Sequence, residues 1–574
     1  MKKTLSRLMK LLGRQKLALL CSILLAAASV MLSLYVPILF GDAIDQILDT
    51  GVHFDIILKF LTRAGVVALA TAILQWMMGI INNRITFNTV KLVRKQAFEK
   101  IEILPLKYID GHAYGDLLSR VISDVDQFAD GLLMGFSQFF TGIMTIFVTL
   151  GFMLFISPRV ALVAALLTPL SIFVARFVAK NTHDLFKKQS EIRGEQTALI
   201  DEMIGGEKVV AAYGYEGRAH SRFETINREL ETTSRKAIFI SSLVNPTTRF
   251  VNAIVYAAVC LVGAMTVIGG GMTVGGLSAI LAYANQFTKP FNEISGVITE
   301  LQNAFVCAGR IFELIDAKPQ PSDAGFPDLP EISGNVEVKN VEFSYSPERP
   351  LIRNFNLKVA PGQRVAIVGP TGCGKTTLIN LLMRFYDVQS GEITVEGMNI
   401  AEVTRKSLRQ GYGMVLQETW LRSGTIRDNI IMGKPDATDD EIIAAAKATH
   451  AHSFIKRLPQ GYDTPVGEDG GNLSAGQRQL LCITRVMLSA PPMLILDEAT
   501  SSIDTKTELR VQRAFEKLMK GKTSFIVAHR LSTIMSADVI LVMRDGNVIE
   551  QGTHRELMDK GGFYSELYNS QFAH

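Results

Sequence analysis

Cysteine is scarce in this sequence, and the few cysteines present are scattered. The chain of 574 residues has five of them: Cys21, Cys260, Cys307, Cys373 and Cys482. Their number is odd, no two form a CxxC pair, and none has the spacing of a metal-ligand set. A disulfide framework and a zinc site are therefore excluded as the organising principle of the fold.

The sequence also lacks a strong excess of charge of either sign. It has 59 Lys and Arg against 55 Asp and Glu, a net charge of +4, and only 20% of its residues are charged. This balance gives no global reason to expect nucleic acid as a partner. Hydrophobic residues make up 48% of the chain, and the mean hydropathy is +0.22. Because soluble chains of this size normally average below zero, the apolar residues must form blocks, and membrane spans are expected.

Six apolar runs are candidates for membrane spans. The clearest is Leu17–Phe40, 24 residues without a formal charge, which as a helix would measure about 36 Å at about 1.5 Å per residue. A cleaved signal peptide is the alternative for this run, because Ala26–Ala28 could form a cleavage site, but the run continues well past them. The other five, of which the last is the weakest, are Ala64–Ile81, Leu132–Ile156, Val160–Val178, Phe250–Gly269 and Leu277–Val306.

Charges between the runs predict their orientation. All charged residues before the first run are basic. The connection Gly41–Leu58 has four aspartates and no Lys or Arg, whereas the next connection, Arg84–Arg120, is rich in Lys and Arg. The positive-inside rule therefore places the N-terminus, the second connection and everything after the sixth run in the cytoplasm. The long inside connections carry charges among apolar residues at helical spacing. We expect helices to continue below the membrane, with elbows near Tyr108–Gly115 and Tyr213–Arg222.

Two cations lie at membrane depth: Arg249 at the start of the fifth span, and Lys289, followed by Pro290, in the sixth. Charge at membrane depth is costly and faces protein or water. Two interpretations remain open. Either both residues pair with a neighbour or snorkel, or Lys289 lines a substrate cavity.

A second domain is predicted after the segment Ala317–Gly334, which contains four prolines and no apolar periodicity and is typical of a linker. The expected division is a membrane domain over residues 1–316, a linker over 317–334 and a soluble domain over 335–574. In the soluble domain, GPTGCGKT matches the phosphate-loop pattern GxxxxGK[ST] in full, with the strand-like Arg364–Val368 before it and a helical pattern after it.

A phosphate loop predicts specific contacts with a nucleotide. Its backbone N–H groups surround phosphate, Lys375 reaches the β- and γ-phosphates, and the Thr376 hydroxyl binds Mg²⁺. An exposed Cys373 thiol would make nucleotide binding sensitive to alkylation. The candidate nucleotide contacts are Gly369, Pro370, Thr371, Gly372, Cys373, Gly374, Lys375, Thr376 and Thr377.

The apolar run Met493–Leu496 predicts a buried strand that ends in Asp497 and Glu498. One acid at the end of such a strand can hold Mg²⁺ through water, and a second can polarise an attacking water. Strands that end in solvent often carry acids, so the pattern is informative only together with the phosphate loop upstream.

The segment Leu473-Ser474-Ala475-Gly476-Gln477 resembles the LSGGQ signature of ATP-binding cassette (ABC) ATPases, which phosphate-loop kinases and GTPases lack. The resemblance covers the whole chain, and Asp110–Asp126 is similar to the family's stretch before the third span. It implies the fold of an ABC exporter half-transporter, an α-helical six-span membrane domain followed by an α/β P-loop ATPase domain. The two elbows would then be coupling helices.

The resemblance also implies roles for single residues. Glu498 would be the catalytic base, His529 the switch histidine and Gln417 the Q-loop glutamine. Mg²⁺ would be held by Thr376, Gln417 and Asp497. Further contacts to ATP would come from Tyr345, stacked on adenine, and from Ser474, Gly476, Gln477 and Asp504. Taken singly, Tyr345 could be strand surface, Gln417 a solvated loop residue and His529 a strand-end histidine.

In this family two cassettes meet head to tail, so Ser474 would act on the partner's ATP. Ala475 departs from the usual glycine of the signature, and a methyl group there can hinder the approach of backbone to phosphate. The departure favours a heterodimer with a second half-transporter, and a homodimer remains the alternative.

The implied function is ATP-driven export of a hydrophobic or amphipathic substrate by alternating access, from a bacterial inner membrane. A lipid flippase or peptide exporter of the same architecture, or an ATP-gated regulator without transport, are the alternatives. A soluble ABC ATPase would lack the spans, and importers usually carry their membrane and ATPase parts on separate chains. Small molecules, lipids and peptides all remain open as substrates.

Overall fold

The chain forms two compact units in a computed structural model, which describes residues 2–49, 54–346, 350–417, 419–467, 470–497, 504–528 and 531–572. The first unit contains Met1–Leu104 and His112–Lys318, and the second contains Pro105–Gly111 and Pro319–His574. The predicted Glu498 and His529 lie outside the described residues.

Long helices build the first unit, as the apolar runs predict. The helices from the N-terminus to residue 316, of which α4 belongs to the second unit, are α1 (Lys2–Leu12), α2 (Lys16–Asp49), α3 (Phe54–Glu102), α4 (Leu106–Asp110), α5 (Tyr114–Val121), α6 (Ser123–Met134), α7 (Phe140–Ile156), α8 (Pro158–Leu167), α9 (Pro169–Gly205), α10 (Glu207–Ala212), α11 (Glu216–Ser242), α12 (Val244–Ile268) and α13 (Val274–Asp316).

Four helical stretches in the described part of the chain are long and apolar enough to cross a membrane. They are Lys16–Ile47, Phe54–Glu102, Tyr114–Ile156 and Glu216–Ile268. Each contains one of the predicted spans, the first, second, third and fifth. The sixth predicted span lies within the single helix α13.

The predicted fourth span, Val160–Val178, is helical on both sides of a one-residue break at Thr168. The helix α8 ends at Leu167 and α9 begins at Pro169. Proline has no N–H to donate to the carbonyl of Ala165, so the regular helix is interrupted there. The predicted extensions of helices beyond the spans are confirmed, since α3 and α9 continue to Glu102 and Gly205.

Both elbows begin earlier in the chain than predicted. The short helix α4 spans Leu106–Asp110 because the extended Pro105 separates it from α3. The second short helix, α10, ends at Ala212, and Gly214 then takes a left-handed turn with φ of 58°. The predicted second elbow, Tyr213–Arg222, covers this turn and the start of α11.

Close contacts between α2 and α13 stabilise the core of the first unit. The Tyr283 hydroxyl donates a hydrogen bond to the carbonyl of Leu34 at 2.5 Å, and both residues are buried. A Cβ atom added at Gly275 would lie 2.0 Å from the carbonyl oxygen of Gly41, so the two backbones touch where only glycine fits. These contacts fix the two helices against each other.

The second unit contains two main sheets and surrounding helices. Its strands are β1 (Val336–Phe343), β2 (Ile352–Val359), β3 (Arg364–Val368), β4 (Ser390–Val395), β5 (Met398–Asn399), β6 (Tyr412–Val415), β7 (Gly424–Thr425), β8 (Pro465–Val466), β9 (Met493–Asp497), β10 (Thr523–Val527), β11 (Val539–Arg544) and β12 (Asn547–Gly552). Its further helices are α14 (Lys375–Leu382), α15 (Arg405–Gln410), α16 (Ile426–Ile430), α17 (Asp439–Ala448), α18 (His452–Ile455), α19 (Ala475–Ser489), α20 (Thr505–Met519), α21 (Leu531–Met535), α22 (His554–Asp559) and α23 (Phe563–Phe572).

The larger sheet has the strand order β12-β11-β3-β10-β9-β6 and is parallel from β11 to β6. The parallel strands β11, β3, β10, β9 and β6 are largely apolar and buried, as parallel strands usually are. The smaller sheet, β2-β1-β4-β5, is antiparallel. In the parallel sheet the carboxyl ends of β3, β9 and β6 share one edge, where ligands bind in open α/β sheets.

The segment between α13 and β1 has no helix or strand, as the linker prediction requires. From Pro319 it packs within the second unit. The buried Arg405 donates to the carbonyl of Pro321 at 3.0 Å and forms an ion pair with Asp323. The linker is thus anchored to the start of α15 in the second unit.

Candidate nucleotide site

The phosphate loop lies between the carboxyl end of β3 and the first turn of α14. A Cβ atom at Gly369 would lie 2.3 Å from the carbonyl oxygen of Met543, so only glycine fits at the start of the loop. Gly374, with φ of 101°, stands at the N-cap of α14 in a left-handed conformation. The backbone thus turns sharply into a helix N-terminus, which has unsatisfied N–H groups and favours anions.

Lys375 lies against the loop that it follows. Its Nζ donates to the carbonyl oxygens of Gly369 at 2.8 Å and Pro370 at 3.0 Å. The ammonium group is therefore held at the loop carbonyls, next to the start of α14. Positive charge and free backbone N–H groups together suit the phosphates of a nucleotide.

The Cys373 side chain is buried, with 4% of its surface exposed, and packs in the hydrophobic core between β3 and the smaller sheet. Sensitivity of nucleotide binding to alkylation would require an exposed thiol at this position. The loop instead turns the thiol inward, while Pro370, Thr371, Gly372 and Thr376 are on the surface.

Tyr345 follows the end of β1 and reaches the phosphate-loop helix. Its hydroxyl donates to the Thr377 hydroxyl oxygen at 3.2 Å. The ring packs edge-on against Phe343 and Tyr386, with centroids 5.0 Å away in each case. Because 43% of its surface stays exposed, the ring is open to a planar ligand beside the loop.

Asp497 and Gln417 lie at the carboxyl edge of the parallel sheet. Asp497 is the last residue of β9, and its partner on β10, Val527, is also paired with Ile367 of β3. The half-buried Asp497 is thus level with the strand that leads into the phosphate loop. Gln417 is exposed just beyond β6, the neighbour of β9.

The predicted magnesium ligands fit a site completed by a nucleotide. Within the described residues no group of three His, Cys, Asp or Glu could hold a metal by itself. Mg²⁺ is usually bound by one or two carboxylates together with substrate phosphates. The carboxylate of Asp497 and the exposed hydroxyl of Thr376, at the start of α14, match that pattern.

The signature residues form the N-terminus of α19. The Ser474 hydroxyl accepts from the N–H of Gln477 at 3.3 Å, and the Gln477 side chain accepts from the N–H of Ser474 at 2.9 Å. Ala475 is the first helical residue and is half-buried, and Gly476 is buried behind it. This capping box is what the spacing Ser-x-x-Gln specifies.

The structure does not bring all predicted site residues together. Over the described ranges, no hydrogen bond joins Ser474 or Gln477 to the phosphate loop. Asp504 caps α20, where it accepts from the N–H of Thr507 at 2.9 Å. Hydrogen bonds from the backbone and side chain of Thr507 lower the pKa of Asp504. Its local role is therefore that of a helix cap.

Nothing in the sequence indicates that Asp110 lies near the candidate nucleotide site. It is the last residue of α4, and its carboxylate accepts a hydrogen bond from the hydroxyl of Tyr386. Tyr386 in turn packs on Tyr345. Since 276 residues separate Asp110 from Tyr386, no local sequence pattern signals this contact.

Comparison with known proteins agrees with this geometry. Residues 19–291 match the ABC transporter transmembrane region, and residues 352–501 match the ABC transporter ATPase family. The chain is 43% identical over 517 residues to a fatty acid ABC transporter ATP-binding/permease protein of Mycobacterium tuberculosis, with 90% of this chain and 82% of the relative covered. It is 36% identical over 522 residues to an ATP-dependent lipid A-core flippase of Syntrophus aciditrophicus, with 90% and 85% covered.

A solved structure with the same architecture is that of a bacterial Atm1-family ABC exporter with ATP bound. It superposes with a TM-score of 0.78 at 28% sequence identity, over 98% of this chain and 99% of the other. The helical unit, the phosphate loop at the edge of a parallel sheet and these relatives lead to one conclusion. The chain belongs to the ABC transporter family as an exporter half-transporter, in which a membrane domain is fused to an ATPase that drives transport.

Proposed function

We propose that this chain exports a hydrophobic or amphipathic molecule by alternating access, as one half of a dimer whose two ATP molecules bind between the cassettes. The observation that carries the proposal is the position of Lys375 and Asp497 at one edge of a parallel sheet, in a chain that also has membrane-crossing helices. ATP would draw the cassettes together only if it binds the closed state more tightly than the open state.

Within each site, the phosphate loop 369–377 would hold the phosphates of ATP, and Tyr345 would stack on the base. Mg²⁺, held by Thr376, Asp497 and Gln417, supplies positive charge that neutralises the phosphates when bound. Lys375 already lies at the loop and would exchange its bonds to loop carbonyls for bonds to phosphate oxygens. Such preorganised charge stabilises the transition state of phosphoryl transfer.

Glu498 and His529 would complete the reaction. Glu498 follows Asp497 directly and would polarise the attacking water, while His529 would hold the γ-phosphate. The N-terminus of α19, with Ser474, Gly476 and Gln477, would contact the ATP of the partner subunit, and Asp504 would lie near the same interface. Support for a composite site comes from the observation that, in the described residues, Ser474 and Gln477 are hydrogen-bonded to each other and not to this chain's own loop.

We also propose that the partner is a different half-transporter. Ala475 occupies the first helical position of α19, where backbone would approach phosphate, and its methyl group fills space that glycine leaves open. The catalytic set Lys375, Asp497, Glu498 and His529 is complete. This chain would therefore supply one full catalytic half and one weakened signature, and a homodimer is the alternative that the next experiment tests.

The experiment is ATPase activity of the purified chain in lipid nanodiscs, with Glu498→Gln as the inactive control and mass photometry to count subunits. The heterodimer predicts a folded, ATP-binding chain with little activity alone. The variant Ala475→Gly should then raise activity severalfold, because it restores the usual signature. A stable homodimer with brisk activity that Ala475→Gly does not change would overturn the heterodimer.

The substrate class rests on the membrane domain and on the relatives. One relative is named a fatty acid transporter and another a lipid A-core flippase. Both names denote amphipathic lipids, which favours a lipid-like cargo here. The bacterial relatives and the basic N-terminal flank support a bacterial inner membrane, with the N-terminus and the ATPase in the cytoplasm.

A further inference from the structure

A cavity of about 740 Å³ lies within the membrane-crossing part of the first unit, between α2, α3 and α13. Its volume is in the range of small-molecule binding sites. Among its lining residues are Ser33, Gln75, Ser278 and Gln286, and none of the described residues that line it carries a formal charge. The remaining lining is mostly apolar, so the cavity has an uncharged polar part and a hydrocarbon part.

The cavity extends from the outer side of the bilayer to about its middle in the proposed orientation. Ser278 and Gln286 lie 4 and 12 residues after the start of α13 at Val274, which corresponds to about 6 and 18 Å at about 1.5 Å per residue. The hydrocarbon core is about 30 Å thick, so its middle is at about 15 Å. A molecule in this cavity would thus reach from the outer leaflet to the middle of the bilayer.

Two prolines increase the number of hydrogen-bond acceptors at this cavity. Pro37 lies inside α2 and Pro290 inside α13. Proline has no N–H to donate. In each helix, the carbonyl four residues before the proline therefore lacks its usual backbone hydrogen bond. Those two carbonyls belong to Ser33 and Gln286, and both residues line the cavity.

Two side-chain amides add to these acceptors. Across the described residues, neither Gln75 nor Gln286 makes a side-chain hydrogen bond, although Gln75 lies in a membrane-crossing stretch and Gln286 lies in α13, which contains the sixth predicted span. A primary amide without a partner at membrane depth is costly. The buried Tyr283, one turn before Gln286, is bonded to Leu34 and fixes this wall of the cavity. The two amides are therefore available to a ligand.

We propose that this cavity binds an amphiphile whose head group is uncharged and rich in hydroxyl or amide donors, with its hydrocarbon chain along the apolar lining. The backbone carbonyls of Ser33 and Gln286 accept hydrogen bonds from the head group. The side-chain amides of Gln75 and Gln286 donate hydrogen bonds to its oxygens. A cationic head finds no carboxylate among the described lining residues. An anionic head finds no charged lining. The inference rests on the proposed export function and names the substrate class of that function.

The test uses the full-length chain in nanodiscs without ATP. The probe is a long-chain monoacylglycerol that carries a photoreactive diazirine on its acyl chain. Competitors of the same chain length carry a glycerol, a carboxylate or a trimethylammonium head. We expect the glycerol head to compete about tenfold better than either charged head, and labelling to map to α2, α3 and α13, since uncharged hydrogen bonds are each worth about fivefold in affinity.

Three substitutions separate the hydrogen-bonding role from packing. Gln75→Leu and Gln286→Leu should each weaken monoacylglycerol binding about fivefold, and Pro37→Ala should also weaken it, because it restores an N–H to the Ser33 carbonyl. Gln138→Leu is the matched control, since Gln138 is exposed in the same unit outside this cavity. It should bind as the unmodified chain does.

The outcomes also separate this inference from the proposed function. Equal competition by the three head groups, or full binding by Gln75→Leu and Gln286→Leu, would overturn the cavity as a site for uncharged amphiphiles. Specific binding without ATP-driven transport would leave the site standing and would refute export. Transport of monoacylglycerol by both glutamine variants at the normal rate would refute the site alone.

Discussion

The Tyr386 hydroxyl donates a hydrogen bond to the carboxylate of Asp110, and the Tyr386 ring packs at right angles on Tyr345, with centroids 5.0 Å apart. Asp110 ends α4, the short helix that the chain forms directly after the long α3. Tyr345 is the proposed base-stacking residue. The contact thus connects the nucleotide site to the segment that continues into the membrane helices.

Removing this hydroxyl is predicted to uncouple hydrolysis from transport. Burial, followed by the Asp110 carboxylate, raises the pKa of Tyr386, so it remains a donor at physiological pH. Tyr386→Phe keeps the ring packing but loses a hydrogen bond to a charged group, worth about 1.5–3 kcal/mol. We expect ATP hydrolysis within about twofold of normal and severalfold less transport per ATP, measured in the same proteoliposomes.

The matched control is Tyr462→Phe, which removes a hydroxyl hydrogen-bonded to His452 at 2.9 Å elsewhere in the second unit. It should leave the transport ratio unchanged. Asp110→Asn added to Tyr386→Phe should cause little further loss, since both substitutions act on one bond. An unchanged ratio in Tyr386→Phe would refute the coupling role.

Substitution of Lys375 is predicted to abolish nucleotide binding. Lys375→Met removes the only lysine within the phosphate loop and the two bonds to the carbonyls of Gly369 and Pro370. We expect ATPase activity to fall about 10²-fold or more, because preorganised charge at the phosphates is lost. Lys339→Met, an exposed ion-paired lysine on β1, is the control and should retain full activity. Binding of a fluorescent ATP analogue distinguishes lost affinity from lost chemistry.

The buried Cys373 thiol is predicted to resist alkylation in the folded protein. With 4% of its surface exposed, the thiol is inaccessible to a maleimide unless the loop opens. Mass spectrometry of the loop peptide should show slow labelling of the native chain and rapid labelling after unfolding in guanidinium. Rapid native labelling that also blocks ATP binding would mean that the thiol is exposed, contrary to the structure.

Glu396 anchors the end of the linker and gives a pH-dependent contribution to stability. Its carboxylate accepts from the backbone N–H groups of Ser333, Gly334 and Asn335 at 2.9, 2.7 and 3.0 Å. Burial opposes ionisation, but these bonds outweigh it and lower the pKa of Glu396. Because the folded pKa lies below the unfolded value of about 4.3, the stabilisation is complete above that value and is lost as pH falls through the folded pKa.

The variant Glu396→Gln should therefore lower the free energy of unfolding at neutral pH by about 1–3 kcal/mol. Thermal unfolding should show this as a lower midpoint. Below about pH 4 the difference from the unmodified chain should shrink, since the glutamate is then protonated as well. Glu402→Gln, an exposed carboxylate on the same unit, should have no effect at either pH. A constant difference across this pH range would refute the role of the ionised carboxylate.

Features encoded over short stretches of chain could be predicted from the sequence. Leu17–Phe40 lies within α2 because a long apolar run satisfies its backbone only as a helix. The phosphate-loop pattern specifies local backbone geometry and is confirmed as a local structure, and the spacing of Ser474 and Gln477 could have indicated the capping box of α19. Proline at 169 could also have indicated the break in the fourth span.

Features that depend on distant residues could not be predicted. The burial of Cys373 depends on how β3 and the smaller sheet pack around the loop. The bond between Asp110 and Tyr386 joins segments far apart in sequence, and the cavity beside Gln75 and Gln286 requires three helices to be placed together. No periodicity or motif contains such information.

ATP-driven movement of an amphiphile into inside-out vesicles tests the central claim most directly. Vesicles with this chain and any partner half it requires should accumulate a fluorescent monoacylglycerol when ATP and Mg²⁺ are added. Accumulation should stop in Glu498→Gln and in Lys375→Met. Hydrolysis of ATP without accumulation of any amphiphile, or accumulation that persists in Glu498→Gln, would contradict the account.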